Sequence, residues 1–278
     1  MSSDTPNAPR PLPDRPNLRH LKNQAKDLLK RGGHSGENRY AIAGAKRYGM
    51  IVSGASSFRA LAAALFLTGI AWAQQRVSFP TEDGGLVYAD LYGNGDRGVV
   101  LAHGGRFNKE SWEKQARTLE AAGFRVLAID FRGYGQSRGP GQADPLSAPL
   151  QWDVLAAVRY LRKAGAKTVS VVGGSMGGAA AADASIESQP GEIDRLVLLA
   201  AWTDGSPEKM KGRKLFIVAR DDANDDGPRL PWIRANYEKA EGPKKLVVLD
   251  GSAHAQFLFS TDQAERVMRE ILNFLTEP

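Results

Sequence analysis

Three short runs in this chain hold residue types that could carry out nucleophilic chemistry. The first is Val171-Val172-Gly173-Gly174-Ser175-Met176-Gly177-Gly178, a G-x-S-x-G motif between an aliphatic run and the small residues Ala179 to Ala182. A serine on a sharp strand-to-helix turn has its Oγ lifted clear of the sheet, and glycines flank it because a Cβ would strike neighbouring backbone. The helix that follows brings free N–H groups and a positive dipole end to where an oxyanion would form. Taken alone, the motif also suits a glycine-rich loop that holds a phosphate or packs tightly. The second run is Leu101-Ala102-His103-Gly104-Gly105-Arg106-Phe107. An HGG turn at a strand end can direct a backbone N–H into the site, beside that of the residue after the nucleophile. Gly105 and Met176 are therefore the expected oxyanion donors, with Arg106 the second choice for the former. His103 is read as structural, orienting the turn through hydrogen bonds.

The third run is split. Arg220-Asp221-Asp222-Ala223-Asn224-Asp225-Asp226 follows one aliphatic stretch, and Asp250-Gly251-Ser252-Ala253-His254 follows the next. From Gln74 onward His254 has His103 as its sole rival for the base. Serine, acid and histidine thus occur in that chain order, which separates this arrangement from other serine triads.

The elements that must position these groups are legible as alternation. Strands are expected at Arg76–Phe79, Leu86–Leu91, Gly98–Ala102, Arg125–Ile129, Thr168–Val172, Arg195–Ala200, Lys214–Ala219 and Lys244–Leu249, eight in all. Helical patterns occupy Ser111–Ala122, Leu150–Ala164, Met176–Ser188, Pro231–Ala240 and Thr261–Leu275, with Gly123 and Gly165 as stops for the first two. The first two strands flank Glu82-Asp83-Gly84-Gly85 and should pair as an antiparallel hairpin. Strands alternating with helices predict a mostly parallel α/β sheet with helices on both faces, whose reactive groups gather beyond the carboxyl ends of the strands.

With HGG, Asp130-Phe131-Arg132-Gly133-Tyr134-Gly135-Gln136-Ser137, GGSMGG and the GSAH loop in place, the chain resembles the α/β-hydrolase superfamily from about Val77 to Leu275. The resemblance implies the α/β-hydrolase fold, a serine triad and an acyl substrate. Relatives often carry G-x-x-D after the corresponding strand. Placing Ala219 at that glycine makes Asp222 the acid, with Asp221 and Asp225 as neighbouring alternatives and the remaining aspartates a solvated loop. The run Asp130–Gly135 is similar to a structural turn of the family. Twelve residues, Trp202 to Arg213, occupy the position where relatives insert a cap, too few to build one. The site is therefore expected to be open, with Trp202, Phe107, Trp112, Phe257 and the loop Ser137–Pro149 placed to line it. The implied activity is hydrolysis of an ester or related acyl bond through an acyl-enzyme, without metal or organic cofactor. A peptidase, a thioesterase, haloperoxidase-like chemistry and a non-enzymatic ligand-binding scaffold are the alternatives.

Composition narrows the partners. The chain has 278 residues, 37 Lys+Arg, 31 Asp+Glu and no cysteine. Disulfides, thiolate metal sites and a cysteine nucleophile are excluded. Residues 1–73 hold 11 of the basic and 4 of the acidic residues, leaving 26 and 27 from Gln74 onward. The globular part is close to neutral, which removes the main argument for nucleic-acid binding, since phosphate neutralisation needs a basic face; a small acyl molecule is the expected partner. Residues 1–49 read as a basic extension. Residues 50–73 combine Arg59, an apolar run from Ala60 and a closing Ala71-Trp72-Ala73, the three parts of an export signal. That run is shorter than the roughly 20 residues of a membrane span. Translation from Met50, cleavage after Ala73 and an exported domain at 74–278, periplasmic or secreted and with no stable span, are the resulting expectations; if the segment is not used as a signal, the domain is expected in the cytoplasm.

Overall fold

The computed structural model describes residues 74–278; the proposed extension at 1–49 and export signal at 50–73 lie outside the described residues. Ten strands alternate with helices: β1 Gln75–Pro80, β2 Leu86–Tyr92, β3 Arg97–Ala102, β4 Phe124–Ile129, β5 Thr168–Gly174, β6 Arg195–Leu199, β7 Arg213–Ala219, β8 Ala223–Asn224, β9 Gly227–Pro228 and β10 Lys244–Leu249. The α-helices are α1 Glu113–Ala121, α2 Gln151–Lys163, α3 Met176–Glu187, α4 Leu230–Lys239 and α5 Ala264–Thr276. Eight strands form one sheet in the order β1-β2-β4-β3-β5-β6-β7-β10. β1 with β2 and β2 with β4 are antiparallel, and every later pair is parallel. The expected α/β-hydrolase fold is the one observed.

The strands read as near-continuous apolar runs because both sheet faces are covered. Successive residues alternate between two cores. Val100, Leu127, Val171 and Phe216 face α2, α3 and α4, while Val99, Val126, Val172 and Leu215 face α1 and α5. On α5 the buried residues Val267, Ile271, Phe274 and Leu275 recur at helical spacing, which holds that helix to the sheet. Each such fully buried side chain contributes about 1.5–3 kcal/mol.

Local differences from the sequence reading have simple causes. The segment expected as one helix over Ser111–Ala122 is a 3-10 turn, Lys109–Trp112, leading into α1. The expected helix at Thr261–Leu275 is likewise preceded by a 3-10 turn, Ala255–Ser260, and begins at Ala264. The acidic loop after β7, for which no strand is expected, folds back as the β8–β9 ribbon, where Gly227 takes a φ of 114°.

β3 is the strand at which the chain changes direction across the sheet. β4 lies on one side of it and β5 on the other, so the loops leaving β3 and β5 face one another across a crevice. The Asp130–Ser137 turn is fastened beside that crevice by Arg132, which is fully buried. Its backbone N–H donates to Asp153 Oδ2 at 2.9 Å, its Nε to Asp153 Oδ1 at 3.0 Å and its Nη2 to Asp153 Oδ1 at 2.6 Å. Asp83 of the first hairpin turn completes the cluster, accepting from Nη2 at 3.0 Å. Burial pushes the Asp153 carboxyl above the usual carboxylate range although Arg132 pulls it down, while the hydrogen bond from Arg132 holds Asp83 below that range. Removing one partner of such a pair strands a buried charge. Asp153→Ala is expected to lower the unfolding free energy by about 3–5 kcal/mol, read from urea denaturation, and an effect below 1 kcal/mol would contradict this account.

Candidate active site

β5 ends at Gly174 and α3 begins at Met176, so Ser175 alone makes the turn. Its backbone sits at φ 50°, ψ −118°, a region that residues with a Cβ rarely adopt. Its N–H donates to Leu199 O at 2.9 Å, and its carbonyl accepts from Ala179 N–H at 2.9 Å. α3 can approach so closely because its first turn lacks side chains. A Cβ on Gly177 would meet the carbonyls of Ala102 and His103, and one on Gly178 would meet Ala201.

The loop after β10 brings His254 over this turn. His254 Nε2 lies 2.8 Å from Ser175 Oγ, and Nδ1 lies 2.7 Å from Asp222 Oδ2. A carboxylate only accepts, so Nδ1 carries the proton and Nε2 is free to accept from the hydroxyl. Ser175 and His254 are partly exposed, whereas Asp222 is buried at 1% exposure. Of the aspartates considered from sequence, Asp222 is the one that reaches His254, while Asp221 and Asp225 are exposed. The backbone explains the selection. Asp222 N–H donates to Ala219 O and its carbonyl accepts from Arg229 N–H, turning the side chain inward.

Arg229 also places Nη1 3.7 Å from Asp222 Oδ1, behind the acid. Burial pushes its guanidinium below the usual arginine range, and the Asp222 charge works against that. The sequence reading did not identify Arg229, because nothing local distinguishes it from a surface arginine after a loop.

The HGG turn lies against the serine. A Cβ on Gly104 would sit 3.5 Å from Ser175 Cβ and 3.3 Å from Gly174 O. His103 is fully buried. Its Nε2 accepts from Phe131 N–H at 3.2 Å and its Nδ1 donates to Gly104 O at 2.9 Å, with Phe131 and Tyr134 packed edge-on against the ring. Burial pushes this imidazole down to about 4, so it is a neutral, orienting group, as read from the sequence. Gly105 is exposed on the crevice, and its carbonyl accepts from Tyr134 Oη at 2.9 Å. Met176 opens α3, where the first N–H groups have no intrahelical partner. The two N–H groups expected to bind an oxyanion therefore lie on the loops that flank Ser175 Oγ.

Trp112, expected at the rim, lies elsewhere. Trp112 is buried at 1% exposure and packs on Phe259, so it belongs to the core and not to the crevice. A large ring in the 3-10 turn ahead of α1 is drawn under the sheet by the α1–α5 core. Phe107 and Phe257 pack together at 5.0 Å between ring centroids, and Arg106 reaches over Phe257 at 6.0 Å. Leu146 of the Ser137–Pro149 loop approaches Gly105. Trp202 is partly buried and bonded to Asp204. Between β6 and β7 there is only a short 3-10 turn, Pro207–Lys209, and no cap. Among the described residues no cluster of three or more His, Cys, Asp or Glu is arranged to hold a metal ion, and no helix is long and apolar enough to cross a membrane.

Comparison with known proteins agrees with this fold. A family model described as the alpha/beta hydrolase fold matches residues 98–276. The chain is similar to a Pseudomonas 2-hydroxy-6-oxononadienedioate/2-hydroxy-6-oxononatrienedioate hydrolase, at 31% identity over 142 residues that cover 49% of this chain and 48% of that protein. It is also similar to a non-heme haloperoxidase of Rhodococcus erythropolis, at 30% identity over 132 residues that cover 45% and 46%. The chain thus spans about half the length of the curated relatives it matches. Among solved structures, an esterase from Exiguobacterium antarcticum superposes with a TM-score of 0.60 over 73% of this chain and 100% of that one, at 16% identity.

The buried His103 makes stability depend on pH in a definite direction. Its folded value of about 4 lies below the ordinary 6.5, so the unfolded chain binds the extra proton between them. Its contribution is complete above about 6.5, declines as pH falls and is gone below about 4, at about 1.4 kcal/mol per pH unit for one proton. His103→Asn is expected to flatten the slope of unfolding free energy against pH in that window by up to one proton. An unchanged slope would mean that the imidazole is not held neutral.

Proposed function

The chain belongs to the α/β hydrolase family, and on that premise we propose that it is a serine hydrolase that cleaves esters of accessible shape through Ser175, His254 and Asp222. The observation that carries the reading is one continuous hydrogen-bonded path, Ser175 Oγ to His254 Nε2 at 2.8 Å and His254 Nδ1 to Asp222 Oδ2 at 2.7 Å.

In this reading His254 Nε2 takes the Ser175 proton as Oγ attacks the ester carbonyl, and Asp222 steadies the imidazolium through Nδ1–H. The carbonyl oxygen becomes an oxyanion between the N–H groups of Gly105 and Met176. Its collapse expels the alcohol, which receives the proton from His254. Water, deprotonated by His254, then attacks the acyl-enzyme, and Ser175 Oγ leaves with the proton. The exposed rim and the absence of a cap support substrates that need no enclosing lid. Likeness to a haloperoxidase favours perhydrolysis as the second reading, in which hydrogen peroxide replaces water and the acyl group leaves as a peracid. We further propose that residues 50–73 direct export; amino-terminal sequencing of the product from its natural host should read from Gln74, and a product that retains residues 1–49 would refute this.

The purified chain is expected to hydrolyse short-chain aryl esters and to be labelled at Ser175 by a fluorophosphonate. Ser175→Ala and Asp222→Asn should each lower kcat by about 10⁴-fold or more. A wild-type chain that neither turns over any member of an ester, thioester and peptide panel nor accepts the label would overturn the reading. Peracid formation from acetate and peroxide, lost in Ser175→Ala, would establish the second activity.

A further inference from the structure

Two residues past His254, in the 3-10 turn Ala255–Ser260, lies Gln256, 6% exposed. Its Oε1 accepts from Gly104 N–H at 2.7 Å, and its Nε2 donates to Ser111 Oγ at 2.8 Å. The Ser111 hydroxyl in turn donates to Asn108 O at 2.5 Å. An N–H can be met only by the amide oxygen, so the orientation of this side chain is determined by its partners. The Gln256 stem lies against the serine turn as well, since a Cβ on Gly174 would sit 3.4 Å from Gln256 Cγ. One buried side chain thus leaves the histidine loop, packs on the nucleophile turn and bonds the HGG loop.

The bond to Gly104 matters because Gly104 has no Cβ to bias its own φ and ψ, so its conformation must be imposed by its surroundings. The peptide after it is held through the Gly104 carbonyl, which accepts from His103 Nδ1 at 2.9 Å and from Phe107 N–H at 3.0 Å. In a planar trans peptide the Gly105 N–H points opposite to that carbonyl. The peptide before Gly104 is held by Gln256. With both planes fixed, the direction of the Gly105 N–H is fixed.

We propose that Gln256 is a positioning residue that aims the Gly105 N–H at the oxyanion and ties this donor to the loop carrying His254. The proposal rests on the serine-hydrolase reading above. An oxyanion donor works only within about 2.7–3.1 Å of the developing charge, a tolerance smaller than the freedom of an untethered glycine turn. Ground-state binding does not depend on that distance in the same way. Loss of the tether should therefore lower kcat and leave KM in place.

The test uses the full chain, an aryl ester, and an aryl boronic acid, which forms a tetrahedral adduct on a reactive serine. Gln256→Met keeps the length of the side chain and removes both hydrogen bonds. It is expected to lower kcat about 10–10²-fold and to weaken boronate binding by a similar factor, with KM within about two-fold of wild type. Ser111→Ala frees only the far end of the amide and should act in the same direction by a few-fold. It should add little in the Gln256→Met background, because the two residues act through one contact. Folded Gln256→Met with unchanged kcat and boronate affinity would overturn the proposal. So would a fall in kcat/KM accompanied by a lowered melting temperature with boronate affinity retained, the signature of a merely structural role. If Gln256→Met does not fold, Ser111→Ala decides by the same two readouts. A wild-type chain inactive on esters and blind to the boronate would remove the hydrolase reading itself, whereas an active wild type with silent variants would remove this inference alone.

Discussion

The backbone of Ser175 is the constraint around which the rest of the site is arranged. At φ 50° and ψ −118° it holds a conformation that costs on the order of 1–3 kcal/mol and persists only where its surroundings over-determine it. Those surroundings are visible. β5 on one side and α3 on the other leave no slack, because Gly173, Gly177 and Gly178 let backbone pass where any Cβ would collide. The Ser175 N–H is consumed by Leu199 O of the neighbouring strand. That bond anchors the turn to the sheet, and it also leaves the Met176 N–H as the first donor of α3 beside the hydroxyl. A fixed strand-to-helix corner thus sets the proposed nucleophile and one proposed oxyanion donor together.

The opposite wall of the crevice uses the reverse strategy. Two of the three residues of the HGG turn are glycines without conformational preference, and side-chain hydrogen bonds impose its shape. His103 serves as a rigid spacer between Phe131 N–H and Gly104 O, a role open only to a neutral imidazole with Nδ1 protonated. Burial maintains that state by pushing the ring down to about 4. The two histidines from Gln74 onward therefore divide the chemistry by environment. His103 is sealed and kept in one tautomer, while His254 is partly exposed, bonded to a carboxylate on one side and a hydroxyl on the other.

What could be read in the sequence follows from how local each signal is. The strands were legible because both faces of a parallel sheet are buried, so each appears as an apolar run bounded by charge or glycine. The strand-to-helix turn at Ser175 is legible because its backbone demands leave glycines in neighbouring positions, and the proposed donor Gly105 is marked by the HGG run that holds it. Asp222 could be favoured only by counting from Ala219, and its neighbours became distinguishable once the β8–β9 ribbon and Arg229 N–H had turned one carboxylate inward. Gln256 and Asp153 carried no local mark. Gln256 acts on Gly104, 152 positions away, and Asp153 acts on Arg132 across the gap between α2 and the β4 turn. Trp112 was misplaced for the same reason, since ring size alone does not say which side of a loop is core.

The short connection between β6 and β7 has a consequence for how the crevice can discriminate among ligands. With no cap above it, the crevice is flanked by the loops after β3, β4 and β10, which contribute the Phe107–Phe257 pair, Leu146 and the Arg106 guanidinium above Phe257. An apolar pair at the mouth gains free energy from covered area, but one methylene more or less is worth only about 1–3 kcal/mol there. Water also reaches an open site and screens the Arg106 charge; in the proposed mechanism it would favour hydrolysis of the acyl-enzyme over transfer to a scarcer acceptor. Under the proposed function such a surface would grade substrates by size and apolar area. Precision in this molecule is instead concentrated below the rim, in the buried bonds that orient Gly104, His254 and Asp222 around Ser175.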